Sequence, residues 1–588
     1  MGQLLIPNDS KHDVSTYKIL VNNKEIDSTY KLLSLSILKE VNRVPVAKII
    51  FRDGDASLRA FQISDKEDFM PGNKIQVNIG RDSLNTKAFK GIIVKHAVKV
   101  KANGHTQLHI ECQDECVKMT IGRNNHYFEN VKDNQVFDEL IEKYGLQSEP
   151  ETTSLLHKEL VQHHISDWDF LILRAEANGM LVNADDGTIK ISRPVINKEV
   201  LQVNYGSSVL EFESEIDARY QFKNIKAASW DYSNQQLFKA DASSTSLKEP
   251  GNLSGSDIAG KISPDNYELH HSGHKLEQEL QDWADGMLMR SRLSKIRGRA
   301  KFFGFAGIRP GDTIKVTGIG DRFNGKSYVT AVRQDIGSGV WETQVQFGLD
   351  PNRHAYHYKD LDDAPSGGLV GAIHGLQIGV VVKLQDDPDG QHRIQVKIPV
   401  IDNDAQGIWT RIASLDAGDN RGAFFRPEIG DEVIVGFINE DPRDAVVLGM
   451  LNSSNKPAPI NAQDVNNEKG FTTRSKMHVS FNDDTRTITI DTPAGNSITL
   501  DEQGTKIEIK DQNQNKLTMG AAGISLESPL KIDIKAGTVL SLGAGTSLSI
   551  SAPSLSVSAD ADVSISGATA KLSAQGPTEI TGLPVKIN

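Results

Sequence analysis

Several groups of side chains in this sequence are of the kinds that hold metals or move protons. "HHSGH" puts His270, His271 and His274 within five residues. Imidazoles that close can share a metal ion, but tetrahedral sites complete their set with cysteine or carboxylate at fixed spacing, and this loop-like stretch supplies neither. "HKELVQHH" adds His157, His163 and His164 on what reads as a solvated strand. Asp386, Asp387 and Asp389 crowd a Pro/Gly hairpin. Paired carboxylates hydrolyse glycosides when they flank the scissile bond at a set separation, whereas acids in such a turn bond their own backbone. Cys112 and Cys116 are the only cysteines. A lone CxxxC falls short of a zinc site and of a disulfide framework, and both read as ordinary barrel positions. No GxSxG, HExxH or phosphate-cradling glycine loop occurs. The residues offer no catalytic constellation, no cofactor site and no metal site, and the expectation is a protein that is not an enzyme.

What these residues sit on is more informative. A chain of 588 residues exceeds a single core and should divide into roughly three to five domains. The net charge of −12 gives no reason to expect nucleic-acid binding, which shows as a basic face. The start, "MGQLLIPNDS", lacks a basic stretch followed by an apolar one, so the chain is expected to be made in the cytoplasm without a signal peptide. Ile6 stands where myristoylation wants Ser or Thr, and no apolar run approaches the ~20 residues of a membrane span.

Residues 14 to about 125 alternate like short strands parted by Gly, Asn and Asp. A second stretch repeats the plan: Pro71-Gly72 and Pro310-Gly311 each open a strand, and Gly91 and Gly325 precede the next, which predicts a duplicated β-barrel. Between the copies the spacing predicts three barrel-covering helices. The first carries Val136, Leu140, Ile141 and Tyr144 on one face and ends at Gly145. The second starts at a Ser166 cap and stops at Gly179. The third carries Leu276, Leu280, Trp283 and Met287. Residues 235–265 read as a long surface loop, and the acidic, Pro/Gly-bearing stretch 357–368 as a domain boundary. Beyond it, five strands in under ninety residues fit a small oligonucleotide/oligosaccharide-binding (OB) barrel.

From Thr487 onward no helix signal appears. Apolar-x-apolar pairs begin at Ile524, Ile532, Leu540, Leu548, Leu555 and Val563, then more weakly at Ala570, Thr578 and Val585, at intervals of 8, 8, 8, 7, 8, 7, 8 and 7. Their second members are Leu526, Ile534, Leu542, Ile550, Val557 and Ile565 among the strong pairs. Upstream, Ile488, Ile498, Ile507 and Leu517 follow a looser interval of nine or ten. Nearly everything between is Ser, Ala, Gly or Asp, and Gly or Pro falls where corners are needed. A disordered tail would not keep such a period. A parallel β-helix of one chain needs a coil of roughly 20 residues to wrap its own core; here each strand brings two inward side chains and two open edges. Three chains wound into a triangular prism solve both problems, and each octad then contributes about 3–6 kcal/mol per chain before entropy is subtracted. Nine stacked units would extend roughly 40–45 Å at ~4.8 Å per strand. The expected fold is mainly β with a few helices: a duplicated β-barrel head, an OB barrel and an intertwined triple-stranded β-helix built by a homotrimer.

Three segments together resemble the spike proteins of contractile injection systems, the VgrG proteins of type VI secretion and the hub-plus-spike proteins of phage-tail-like particles. "QHHISDWDFLILRAEANGMLV" at 162–182 is similar to the family's head, "PEIGDEVIVGFINEDPRDAVVLGML" at 427–451 to its OB signature, and "TTRSKMHVSFND" with "PAGNSITLDEQG" to the entry of its spike. The resemblance implies a head over residues 1–368, an OB barrel over 369–455, a neck over 456–486 and a trimeric spike over 487–588. It implies inner-tube and baseplate proteins as partners at the head, with pseudo-sixfold symmetry there. A PAAR-type tip protein would sit on Val585, Lys586, Ile587 and Asn588, and effector cargo and transient contact with a target membrane would follow. Glu428, Gly430, Asp431 and Gly436 would fix the OB turns. The particle would act at or beyond the cell surface. Only about twenty residues separate barrel and spike, and the sequence stops within the repeat, so neither the lysozyme domain nor the toxic enzyme of some relatives is expected. The alternative is a trimeric tailspike degrading polysaccharide, or an adhesin.

Overall fold

The computed structural model describes residues 15–101, 106–243 and 247–587. The stretch before Ser15, with Ile6, and the terminal Asn588 lie outside them. Two compact units divide at Gly449 and Met450.

The first copy of the head consists of β1 (Ser15–Val21), β2 (Leu32–Glu40), β3 (Val46–Arg52), β4 (Lys74–Arg81), β5 (Leu84–Val100) and β6 (Thr106–Gln113). Strand alternation sends Ile75, Val77 and Ile79 of β4 inward with Leu35, Ile49, Phe51 and Phe89. After Gln113 the chain leaves the sheet and forms a module with α1 (Asp133–Glu142) and α2 (Asp167–Ala177). Val136, Leu140 and Ile141 are buried there and Tyr144 packs at the margin. The Ser166 hydroxyl caps α2 by accepting from the Asp169 amide at 3.0 Å. The second copy opens with β7 (Leu201–Asn204) and β8 (Glu211–Ile216). Another module follows, with α3 (Gly255–Ile262) and α4 (Glu277–Ser294), before β9 (Ile296–Phe303), β10 (Thr313–Thr317), β11 (Gly325–Gly337) and β12 (Val340–Phe347) complete it.

The duplication is visible in the strand order, β1-β4-β5-β6-β3-β2 in one copy and β7-β10-β11-β12-β9-β8 in the other. Each copy has its own core, and β2 pairs antiparallel with β11, so the two run on as one thirteen-stranded sheet. Gly72 and Gly311 sit at φ +98° and +94° after their prolines, where a type II turn requires a positive φ. Gly91, expected to precede a strand, lies inside β5.

Three readings differ from the structure. The helices cover small sheets of their own more than the barrels: α1 and α2 pack on strands Asn124–Lys132, Gln147–Pro150, Leu156–Ile165 and Leu181–Asp185, and α4 on Asn224–Asp231 and Gln236–Asp241. The expected loop 235–265 contains the strand Gln236–Asp241 and helix α3, which buries Gly255 and Ala259. Cys112 is a core residue of β6, but Cys116 belongs to the adjoining helical module, and both are free thiols.

The OB barrel is closed by β13 (Gln377–Lys383), β14 (Ile394–Lys397), β15 (Ile408–Ile412), β16 (Glu432–Phe437) and β17 (Ala445–Met450) around Val381, Ile394, Val396, Val433, Val435 and Val447.

In the C-terminal unit, β18 (Glu468–Thr472), β19 (His478–Asn482), β20 (Thr487–Asp491), β21 (Ser497–Asp501), β22 (Lys506–Lys510), β23 (Lys516–Gly520) and β24 (Gly523–Glu527) form one antiparallel meander. The nine-to-ten spacing, expected to be looser turns of the intertwined helix, is therefore a hairpin repeat: a five-residue strand plus a turn long enough to reverse the chain, with Asn, Asp or Gly at the reversals. Past Glu527, among the described residues, there is no strand and no backbone hydrogen bond within the chain.

Candidate functional site: the apolar face of the C-terminal unit

The meander turns one face apolar and one polar. Its register aligns Phe481, Ile488, Leu500, Ile507, Met519 and Ile524 in one column and Val479, Ile490, Ile498, Ile509, Leu517 and Leu526 in the next. Period-two alternation places Thr489, Thr499, Glu508 and Thr518 on the opposite face. A single chain leaves the apolar columns open, with Ile490 45% and Leu500 42% exposed. Such a stripe on an isolated chain marks a contact surface.

The residues expected to form the trimer core fall into two sets. Ile524 and Leu526 are the last rungs of the meander, opposite Met519 and Leu517. Ile532, Ile534, Leu540, Leu542, Leu548, Ile550, Leu555, Val557, Val563 and Ile565 lie beyond it and are exposed, Val557 to 68% and Ile565 to 87%. Val585 and Ile587 are likewise exposed, Lys586 stands between them, and Asn588 is outside the described residues. In the OB barrel, Glu428 to Asp431 form a turn. The Glu428 amide donates to the Asp431 carboxylate at 2.8 Å and the Asp431 amide to the Glu428 carbonyl at 3.0 Å, with Gly430 at φ +84°. Gly436, expected in a turn, lies inside β16 instead, where a Cβ would come within 3.1 Å of the Leu448 side chain.

The side chains that could have done chemistry are otherwise engaged. Among the described residues no three His, Cys, Asp or Glu are gathered for a metal. His270 bonds Glu268 at 3.1 Å, His271 the Gly273 carbonyl, and His274 faces Asp231. His163 is exposed and His164 lies 3.1 Å from Asp363. Asp387 accepts from the Arg393 guanidinium at 2.6 Å and from three backbone amides. Those bonds, Arg393 first, hold its carboxyl below the usual range. Asp386 faces Lys383, and Asp389 the same Arg393.

Residues 11–338 match the family model described as the Alg8 N-terminal domain. Residues 377–451 match the type VI secretion system/phage-baseplate injector OB domain, and residues 472–568 the phage baseplate V C-terminal trimerisation domain. The chain belongs to the family of the Alg8 N-terminal domain, and its OB and trimerisation domains make it VgrG-like. Among its relatives, the type VI secretion system spike protein VgrG1b of Pseudomonas aeruginosa is 24% identical over 214 residues, 34% of this chain and 28% of that protein. The actin cross-linking toxin VgrG1 of Vibrio cholerae is 25% identical over 160 residues, 26% of this chain and 14% of the toxin. The matched part thus spans little more than a quarter of the length of these relatives at most. Solved structures that resemble this chain include the 43 kDa tail protein of prophage MuSo2 from Shewanella oneidensis, with 11% identity and a TM-score of 0.45 over 57% of this chain and 98% of that one. An E. coli component of the type VI secretion system, described as similar to the T4 bacteriophage tail proteins gp27 and gp5, has 12% identity and a TM-score of 0.34 over 74% of this chain and 99% of that one.

In the head the structure gathers charges that the sequence did not bring together. His157, expected on a solvated strand, is buried and faces Asp133 at 2.9 Å. Arg174 forks onto the same carboxylate at 2.7 and 2.9 Å and Asn178 adds 2.9 Å. Burial opposes ionisation of Asp133, but these bonds outweigh it and hold the carboxyl well below its ordinary range. Asp167 is handled alike by Lys143, Gln162 and Tyr144. A groove of about 590 Å³ between the copies is lined by Glu176, Arg290, Arg297 and Arg299, and Arg290 bonds Glu176 within it. Asp133, Asp167 and Glu176 are thus each engaged by a cation from within the head.

Proposed function

We propose that this chain is the hub and spike of a contractile injection system, acting as a homotrimer without catalysis of its own. The observation that carries the reading is the aliphatic face that begins at Val479 and Phe481, continues without interruption through the meander and extends as spaced pairs to Ile565. One chain leaves it open; three chains placed face to face cover it, at about 1.5–3 kcal/mol for each aliphatic side chain fully buried. The match of this region to a trimerisation domain supports the same arrangement. The head seats the trimer against inner-tube and baseplate proteins, and the stem resists compression because its hydrogen bonds stack along its length. A PAAR-type tip protein sits on Val585–Asn588, effectors travel with the assembly, and it is delivered to or beyond the cell surface, where it meets the target membrane. Among the described residues no helix is long and apolar enough to cross that membrane, so entry is mechanical in this reading.

Mass measurement of the purified chain under native conditions and in strong denaturant tests the reading. The expected result is a particle of three times 64.4 kDa that resists dissociation; a well-folded monomer would remove its basis. Truncation before Ile524 is expected to weaken the trimer and abolish binding of the tip protein while the head stays folded.

A further inference from the structure

Arg353 lies shortly after β12, and among the described residues it forms no ion pair and no hydrogen bond. Its Nε is buried without a partner. What holds the side chain is stacking: its guanidinium carbon lies 5.7 Å from the ring centre of Trp283 and 5.7 Å from that of Tyr356. Contact with an aromatic face fixes the plane of a guanidinium and leaves its N–H edge to be satisfied by something else. The Nε1 of Trp283 is likewise buried and unpartnered. Buried donors normally have an acceptor, so two unused ones on neighbouring side chains call for a reason.

Both side chains line a cavity of about 220 Å³ between the two helical modules. Helices α2 and α4 approach closely where Gly179 follows α2, since a Cβ on Gly286 would lie 2.7 Å from the Gly179 Cα. The cavity opens beside that contact, against residues 279–283 of α4 and 174–178 at the end of α2. Its apolar wall consists of Leu155, Ala177, Leu280 and the Trp283 ring. The carboxylates that line it are already engaged. Asp133 is held by Arg174. Glu279 accepts from the Leu276 amide at 3.0 Å and stands 4.0 Å from Lys275. Asp282 lies 3.6 Å from Arg193, and burial pushes its carboxyl above the ordinary range, which lessens its repulsion of an anion.

We propose that this cavity binds a carboxylate carried on an apolar body of about ring size, with Arg353 receiving the charge and Leu155, Ala177, Leu280 and Trp283 covering the body. A guanidinium takes a carboxylate on two parallel N–H bonds, and one free cation suits a monoanion. A cavity of about 150 Å³ holds a benzene ring, so the space admits a ring with its acid group, whereas drug-sized ligands occupy pockets of roughly 300 Å³ or more. A free aromatic acid and the terminal residue of a polypeptide present the same chemistry. The site goes beyond the hub-and-spike reading and does not depend on the number of chains.

The test is ligand-observed NMR on the full chain, with phenylacetate as the probe, phenylacetamide as its uncharged counterpart and N-acetylphenylalanine as the mimic of a chain end. Phenylacetate is expected to bind saturably, about tenfold or more tighter than phenylacetamide. Arg353→Gln is expected to abolish that preference while leaving the weaker binding of the amide unchanged. N-acetylphenylalanine binding at least as tightly as phenylacetate, with the same dependence on Arg353, would support the site and assign its ligand to a polypeptide end. Binding of phenylacetate alone would support the site and assign its ligand to a free acid. No saturable binding of either acid, equal affinity for phenylacetate and its amide, or acid binding undiminished in Arg353→Gln would overturn the site. Native mass of the same sample reads the trimer separately, so a trimer that fails to bind overturns the site and leaves the spike reading standing.

Discussion

Asp133 keeps its charge although only 1% of its surface meets solvent, because Arg174, His157 and Asn178 replace the water it has lost. Arg174→Ala leaves that carboxylate buried and underpaid in hydrogen bonds, and the expected destabilisation of the head is about 3–5 kcal/mol, read by denaturant unfolding at pH 7. The sign of the pH dependence follows from the direction of the shift. The folded carboxyl lies below its unfolded value of about 3.9, so the network's contribution is fully present above roughly pH 4 and is lost as pH falls through the folded value. Protonation of Asp133 removes the charge that Arg174 serves, so the difference between wild type and Arg174→Ala should shrink on acidification below that point. An undiminished difference at pH 2 would exclude Asp133 as its origin. None of this network was legible in the sequence. Its members stand 24, 41 and 45 positions from Asp133, and an acid at the start of a helix beside a histidine on a strand carries no signal until the module packs.

Periodic elements were far easier to read than irregular ones. The octads of the tail stand out because only two apolar positions recur among small residues. The hairpin repeat just upstream was harder, since a spacing of nine or ten differs from eight only by the residues that reverse the chain, and turn chemistry at 483–486 and 511–515 was the available clue. The strand Gln236–Asp241 and helix α3 were missed because each buries little, one core alanine apiece. Two predictions belong at this scale. Leu548→Asp would bring three carboxylates to one level of the proposed stem and is expected to make the trimer dissociate in denaturant that wild type resists, whereas Ser549→Asp, which the alternation of an octad turns away from the shared core, should leave it intact. Deleting residues 547–554 removes one whole period and should preserve a resistant trimer. Deleting 547–550 alone puts small polar residues where aliphatic ones belong and should not. Equal behaviour of the two deletions on a denaturing gel would refute the octad.

At the scale of the whole molecule, the described residues of one chain leave open the aliphatic columns of the C-terminal unit and strand edges of the head. The closed OB barrel, in contrast, satisfies its own edges. The absence of intrachain backbone bonds among the described residues past Glu527 bears on how such an object comes into being. That segment has nothing to fold onto until sister chains are held beside it, so its ordering is a third-order event unless something upstream has already gathered them. The meander, which can form its ladder alone, turns that encounter into an intramolecular one by raising the local concentration of the tails to about millimolar. Zippering would then start at Glu527 and run toward the terminus, leaving the last octads the final part to set. A half-assembled or mismatched particle would lack a finished end and have nothing firm to offer whatever is mounted there.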